Sequence, residues 1–167
     1  MILGKYELKK RLKAQPPLVE GMIDPDLQIQ PAGIDLTVAE IYRFTGPGQL
    51  DFTNRERRLA ELSPVEFNRD GWAILGPGYY LVRFNETVNM PLDLAAIGKP
   101  RSSLLRMGAF MVSAVWDPGY RGRSISLLAV GNPRGIRIKR GARIIQLVFI
   151  KVLGETTGYQ GIYQGEQ

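Results

Sequence analysis

Residues 110–152, FMVSAVWDPGYRGRSISLLAVGNPRGIRIKRGARIIQLVFIKV, decide the fold class of this chain. Short apolar and β-branched runs, Phe110–Val115, Ser124–Val130, Gly135–Lys139 and Ile144–Val152, are separated by Pro118-Gly119 and Asn132-Pro133-Arg134-Gly135, which are turn sequences. The same texture extends toward the N-terminus through Tyr79–Phe84, Ile41–Phe44 and Gln28–Val38, with breaks at Gly76-Pro77-Gly78 and Gly46-Pro47-Gly48. Many short strands joined by turns predict an all-β sandwich, barrel or jelly roll. Ahead of them, residues 4–14 read as a short amphipathic helix, with Leu8 and Leu12 four apart among Lys and Glu and Pro16-Pro17 as its stop. One domain over residues 1–153 is expected, followed by a tail over 154–167. Asn54–Asn68 reads either as a partly helical excursion or as a loop.

Composition narrows the chemistry. The 167 residues include no cysteine and no histidine. Disulfides, a thiolate nucleophile, the usual zinc sites and Ser-His-Asp or Cys-His catalysis are therefore excluded. Any reaction must run on carboxylates, amides, hydroxyls, Arg and Lys. A formal charge of +6, from 22 basic and 16 acidic residues, suits a nucleic acid, a nucleotide or an anionic surface, and is equally an ordinary solvated surface. Lys9, Lys10, Arg11 and Lys13 form the one dense basic cluster, whereas Arg55, Arg57 and Arg58 are interleaved with Glu56. No apolar run approaches the roughly 18 residues that span a bilayer. The start, MILGKYELKKRLK, places its charges after its apolar residues, the reverse of a secretory signal, so a cytoplasmic location is expected.

Four short segments carry candidate chemistry. In Gly98–Gly108, GKPRSSLLRMG, Pro100 ends extended pairing and Ser102 or Ser103 can cap a short helix. Arg101 and Arg106 flank the free amides, which together make a phosphate cradle or, equally, a capped helix with two surface arginines. In Ala114–Gly122, AVWDPGYRG, Asp117 stands at the shoulder of a hairpin and Tyr120 just past its turn. The hairpin's main chain can read a base edge, and the tyrosine can wall a sugar. Asp35 is embedded in the strand-like QIQPAGIDL, and Gln146 interrupts an apolar strand in GARIIQL. A buried amide there requires a partner. The tail GETTGYQGIYQGEQ is low in aliphatics yet carries two tyrosines, which fits either a frayed terminus or a flap over a planar ligand.

In this order and spacing the segments resemble the motifs of the dUTPase / dCTP deaminase superfamily. QPAGIDL is similar to its first motif, PRSSLLRMG to the second, WDPGYRG to the third, GARIIQL to the fourth, and YQGIYQGEQ to the C-terminal closing motif. The resemblance covers nearly the whole chain and leaves residues 45–70 unplaced. It implies a distorted β-barrel or jelly-roll subunit, a homotrimer with three shared active sites, and one of two reactions: hydrolysis of dUTP to dUMP and pyrophosphate, or zinc-free deamination of dCTP. A bifunctional enzyme and a non-catalytic nucleotide- or nucleic-acid-binding relative are the alternatives. Expected partners are dUTP and further copies of the chain, with no membrane and no specific nucleic acid.

The resemblance also separates the branches. The family's deaminases need a glutamate ten positions beyond the third-motif Asp, and that count from Asp117 reaches Leu127, between Ser126 and Leu128. No carboxylate occurs from Arg123 to Lys151, and leucine cannot shuttle the protons of deamination. A dUTPase is therefore expected. By similarity, Asp117 activates water for attack at the α-phosphorus, and Arg101 holds that Asp and nearby phosphate. Ser102 and Ser103 contact phosphate oxygens, and Arg106 neutralises the distal phosphates. The main chain at Ser113, Ala114 and Val115 reads uracil, and Tyr120 excludes a 2′-hydroxyl. Asp35 and Gln146 order the site through water. Magnesium is implied as the cofactor, carried by the triphosphate with no direct protein ligand. The turn Pro118-Gly119 is deaminase-like, and in the tail Ile162 and Glu166 stand where deaminases tend to carry Lys and Gln. That leaves Tyr159, Tyr163 and Gln164 as the tail's binding candidates.

Overall fold

The computed structural model describes residues 1–166. In chain order the elements are α1 (Lys5–Arg11), β1 (Val19–Glu20), α2 (Pro25–Gln28), β2 (Ile29–Gln30), β3 (Gly33–Phe44), β4 (Leu62–Pro64) and β5 (Trp72–Leu75). They continue with β6 (Gly78–Asn89), β7 (Leu94–Pro100), α3 (Ser102–Arg106), β8 (Ala109–Val112), β9 (Arg121–Val130), β10 (Ile136–Lys139) and β11 (Arg143–Lys151). The main sheet runs β7-β11-β3-β6-β9-β8, and β10 pairs with β5 in a separate two-stranded sheet. A bridge between Ala96 on β7 and Trp116, just past β8, draws the two ends of the main sheet together into a nearly closed barrel. The all-β barrel expectation agrees with this architecture.

One strand organises the curvature. The first half of β3 pairs antiparallel with β11 (Asp35 opposite Gln146), and its second half pairs with β6 (Ile41 opposite Val82). Register shifts near Val38 and Arg143 mark the change of partner, and such bulges bend a strand and increase its twist. Crossing from one side of the barrel to the other, β3 is buried on both faces over Gly33–Ala39. Its Ile34, Leu36, Val38 and Ile41 join Phe84, Leu128, Ile145, Leu147 and Phe149 in the core.

The N-terminal helix is shorter than the expected 4–14. It ends at Arg11 because the next amides turn back three residues, Lys13 N–H to Lys10 C=O (3.1 Å) and Ala14 N–H to Arg11 C=O (3.3 Å). Leu8 is fully buried and Leu12 packs at the core's margin. Asn54–Asn68 contains no helix; a bridge between Gln49 and Arg58 and the short β4 hold it against β3. The sequence reading did not single out β5 or β7 as strands. Among the described residues, no helix is long and apolar enough to cross a membrane.

Arg11 docks α1 onto the loop before β7, reaching Asp93 through two hydrogen bonds (2.6 and 3.1 Å). The hydrogen bond from Arg11 holds the Asp93 carboxyl below the ordinary aspartate range. A lowered carboxyl stabilises the fold above its unfolded titration range, and that contribution is lost as pH falls through its folded value. The pair is partly exposed, so solvent screening limits it to about 0.5 kcal/mol. Asp93→Asn is expected to lower neutral-pH stability by about that amount. Urea midpoints of parent and variant should converge as the pH is lowered.

Candidate active site

The Asp117–Tyr120 turn follows from its residues. Pro118 favours the second position of the turn, and Gly119, at φ +80°, supplies the left-handed third position of a type II turn. Tyr120 N–H closes it onto Asp117 C=O at 3.1 Å. Tyr120 is thereby turned inward and buried, while Asp117 remains exposed. Below it, the Trp116 indole N–H donates to Ser124 Oγ at 2.7 Å and fixes the hairpin floor. The main chain of Ser113, Ala114 and Val115 lies beyond the end of β8, with no backbone partner among the described residues. These groups are thus free to pair with a ligand edge.

The tail folds onto this same hairpin. Tyr159 N–H donates to Pro118 C=O (2.8 Å), Gly165 N–H to Arg121 C=O (2.8 Å) and Arg123 N–H to Glu166 C=O (2.7 Å). Gln164 spans the turn, its Oε1 accepting from Arg121 N–H (3.0 Å) and its Nε2 donating to Gly119 C=O (3.0 Å). Tyr159 meets the Tyr120 ring edge-on, with centroids 5.6 Å apart. Of the expected tail, Gln167 lies outside the described residues.

Together hairpin and tail enclose a cavity of about 370 Å³, lined by Ala114, Val115, Asp117, Tyr120, Tyr159 and Glu166, with Tyr163 and Ser124 at its sides. Burial, followed by the charge of Glu166, pushes the Tyr120 phenol up to about 12, so it stays neutral at physiological pH. Desolvation also raises the Glu166 carboxyl, opposed by Arg83 at 3.7 Å.

A second, cationic cluster forms where the start of β3 pairs with the start of β11, next to the start of α3. Asp35, 1% exposed, receives Arg101 Nε at 3.0 Å and Arg143 Nη1 at 3.4 Å. Desolvation raises its carboxyl above the ordinary aspartate range, and the two guanidinium charges offset only part of that rise. Arg101, Ser103 and Arg143 line a smaller cavity of about 150 Å³ with Trp72, Arg137 and Lys139. Helix α3 begins on Arg101 without any side-chain cap. The expectation that Ser102 or Ser103 caps it is therefore corrected: both are helical residues, exposed like Arg106. Gln146 is half-buried, its amide packed against Gly33, where an added Cβ would lie 2.3 Å from Leu147 C=O and 2.9 Å from the Gln146 side chain.

The structure thus assembles the candidates into two groups. Ala114, Val115, Asp117, Tyr120, Tyr159 and Tyr163 share the hairpin cavity, with Gln164 on its turn and Ser113 against Gly98. Asp35, Arg101, Ser102, Ser103, Arg106 and Gln146 gather around the start of α3 and β11. Within one chain Arg101 pairs with Asp35, and no ion pair among the described residues joins it to Asp117. The sequence reading missed Arg143 as the second cation on Asp35, although it stands inside the quoted GARIIQL. It also missed Arg57, which brings the unplaced loop over the Tyr163 ring (6.0 Å). No group of three or more carboxylate-type metal ligands occurs among the described residues.

A family model described as dCTP deaminase-like matches residues 2–152. A protein of Methanosarcina mazei, 52% identical over 166 residues, is covered over 97% of its length by 99% of this chain, and is named a probable deoxyuridine 5′-triphosphate nucleotidohydrolase. One from Archaeoglobus fulgidus, 46% identical over 165 residues (99% of this chain, 96% of that protein), has the same name. The crystal structure of 2′-deoxycytidine 5′-triphosphate deaminase from Agrobacterium tumefaciens matches with a TM-score of 0.63 at 25% identity. That match covers 89% of this chain but 47% of the deaminase chain, so this chain spans about half its length.

The hairpin and tail make a direct prediction. An added Cβ at Gly119 would lie 2.7 Å from Gly158 Cα in a left-handed backbone. Gly119→Ala is expected to cost about 1–2 kcal/mol and to release the tail. Limited proteolysis should then cut near Tyr159 faster than in the parent.

Proposed function

The chain belongs to the dCTP deaminase-like family, and within it we propose that it is a dUTP diphosphatase, converting dUTP and water to dUMP and pyrophosphate. The observation that carries this reading is an exposed carboxylate, Asp117, on the rim of an apolar cavity whose floor is a buried, neutral tyrosine. The names of relatives matching nearly the full chain support the same activity.

The chemistry follows from this arrangement. Asp117 takes a proton from water, whose oxygen bonds to the α-phosphorus as the bond to the α–β bridging oxygen breaks and pyrophosphate leaves. Uracil is read by the free main chain at Ser113–Val115, deoxyribose stacks on Tyr120 with no space for a 2′-hydroxyl, and Tyr159 and Tyr163 close the cavity. Gln164 latches the closing tail to the turn. Arg101, Ser102, Ser103 and Arg106 hold the phosphates, Asp35 keeps Arg101 in place, and Gln146 orders water beside them. Among the described residues there is no carboxylate cluster, which fits magnesium held by the triphosphate oxygens, where it would neutralise phosphate charge.

Asp117 and Arg101 line different cavities of one chain, so the complete site requires the hairpin of one copy beside the α3 region of another. A homotrimer meets that requirement. An outward apolar face on β6, β9 and β8 supports it, with Leu81, Leu127 and Val112 side by side and Tyr79 and Phe110 exposed next to them. A second reading, deamination of dCTP, is favoured by one observation: Glu166 brings a carboxylate into the hairpin cavity that the strand at Leu127 does not supply.

Two experiments test the proposal. Incubated separately with dUTP and dCTP, the parent should release pyrophosphate from dUTP and no ammonia from dCTP, and Asp117→Asn should fold normally while losing about 10²–10⁴ in turnover. Ammonia that disappears in Glu166→Gln would establish the second reading instead. By light scattering the parent should have three times the 18.7 kDa of one chain, and Leu127→Glu should dissociate it and abolish turnover.

A further inference from the structure

Glu86 is fully buried, yet among the described residues no cation is one of its hydrogen-bonding partners. It follows Val82 and Phe84 on the inward face of β6, where the pairing with β9 shifts register between Arg83 and Thr87. Three donors converge on it. Thr37 N–H reaches Oε2 at 2.9 Å, and the Thr37 hydroxyl and Gln28 Nε2 reach Oε1 at 2.6 and 2.8 Å. Asn85 Nδ2 donates to the same hydroxyl (2.8 Å), which directs the hydroxyl's own proton toward Glu86. Isolated burial of a carboxylate is costly, and a position that only filled space would be served by an apolar side chain.

The network leads to the cationic cluster. Gln28, itself 1% exposed, donates to Asp35 C=O (2.9 Å) with the same amide nitrogen that reaches Glu86, and its Oε1 accepts from Asp24 N–H (3.0 Å). The Asp35 carboxylate holds Arg101 and Arg143, and Arg143 donates back to Leu27 C=O, beside Gln28. The hydrogen bonds therefore close a ring from Gln28 through Asp35 and Arg143 back to Leu27, with Glu86 attached to it at Gln28.

We infer that Glu86 is a positioning residue for the phosphate-binding arginines, acting through Gln28 and the main chain of Asp35. It touches no substrate. It fixes the segment that carries Asp35, and Asp35 in turn sets the direction of Arg101 and Arg143. The inference rests on the phosphate-binding role given above to Arg101, and it extends the support of that role to Glu86, which lies outside every segment quoted for this chain.

The test uses the full chain and compares Glu86→Gln, which turns a donor toward donors, with Gln28→Met, which cuts the link but leaves Glu86 and Thr37 bonded. Val82→Ala, a cavity on the same strand, is the stability control. Both network variants should lower kcat/KM for dUTP about tenfold to hundredfold, chiefly through KM, while Val82→Ala leaves KM within about twofold. In an Asp35→Asn background the Gln28→Met effect should vanish. Unchanged KM in Gln28→Met, or an effect that persists without the Asp35 carboxylate, would overturn the inference. Should Glu86→Gln not fold, Gln28→Met decides by the same criteria. Calorimetric binding of inorganic pyrophosphate reads the arginine pair without turnover. A parent inactive on dUTP therefore counts against the hydrolase reading, while the ratio of pyrophosphate affinities still decides the role of Glu86.

Discussion

The site depends on one buried carboxylate held between two guanidinium groups. Asp35 is almost fully enclosed, and desolvation alone would favour its neutral form; Arg101 and Arg143 counter that penalty. The three residues come from three elements, β3, the start of α3 and β11. Their pairing therefore fixes where the helix leaves the sheet and which way its first residues face. If Asp35 were lost, two cations would remain at a barrel seam without a counter-charge.

The second constraint is conformational. A type II turn at Asp117–Tyr120 puts a polar, exposed carboxylate and a buried aromatic ring within four residues of each other, a separation of environments that a regular strand could not produce. The tail binds to the main chain of this turn, whose groups are left free by leaving the ladder. The cavity walls thus come from two segments separated in sequence, the hairpin and the tail.

Between these constraints lies a division of labour. The apolar hairpin cavity suits a neutral, planar base and sugar, and the cationic cluster suits phosphate. Both are built on the barrel, but on one chain they open separately. Joining them across copies would make catalysis conditional on assembly, and the apolar face of β6, β9 and β8 offers a surface for it.

Much of this was legible in the residues. Alternating apolar runs and Gly/Pro turns specify a β architecture because period-2 burial and turn backbone are local properties. Asp-Pro-Gly-Tyr specifies its turn for the same reason. Glu86 could have been noticed too, as an acid in step with the inward residues Val82, Phe84 and Val88. Strand β7 was not visible, since Leu-Ala-Ala-Ile-Gly-Lys-Pro has little β-branched character and is extended only because β11 pairs with it. By itself the sequence determined the strand-and-turn grammar, the exclusion of thiol and imidazole chemistry, and the motif residues. Only the tertiary structure decided that Arg101 pairs with Asp35, that Arg143 joins them, and that the tail lies on its own hairpin. These contacts join residues far apart in the chain, and their partners are chosen by how β3 crosses the barrel, which no local pattern encodes.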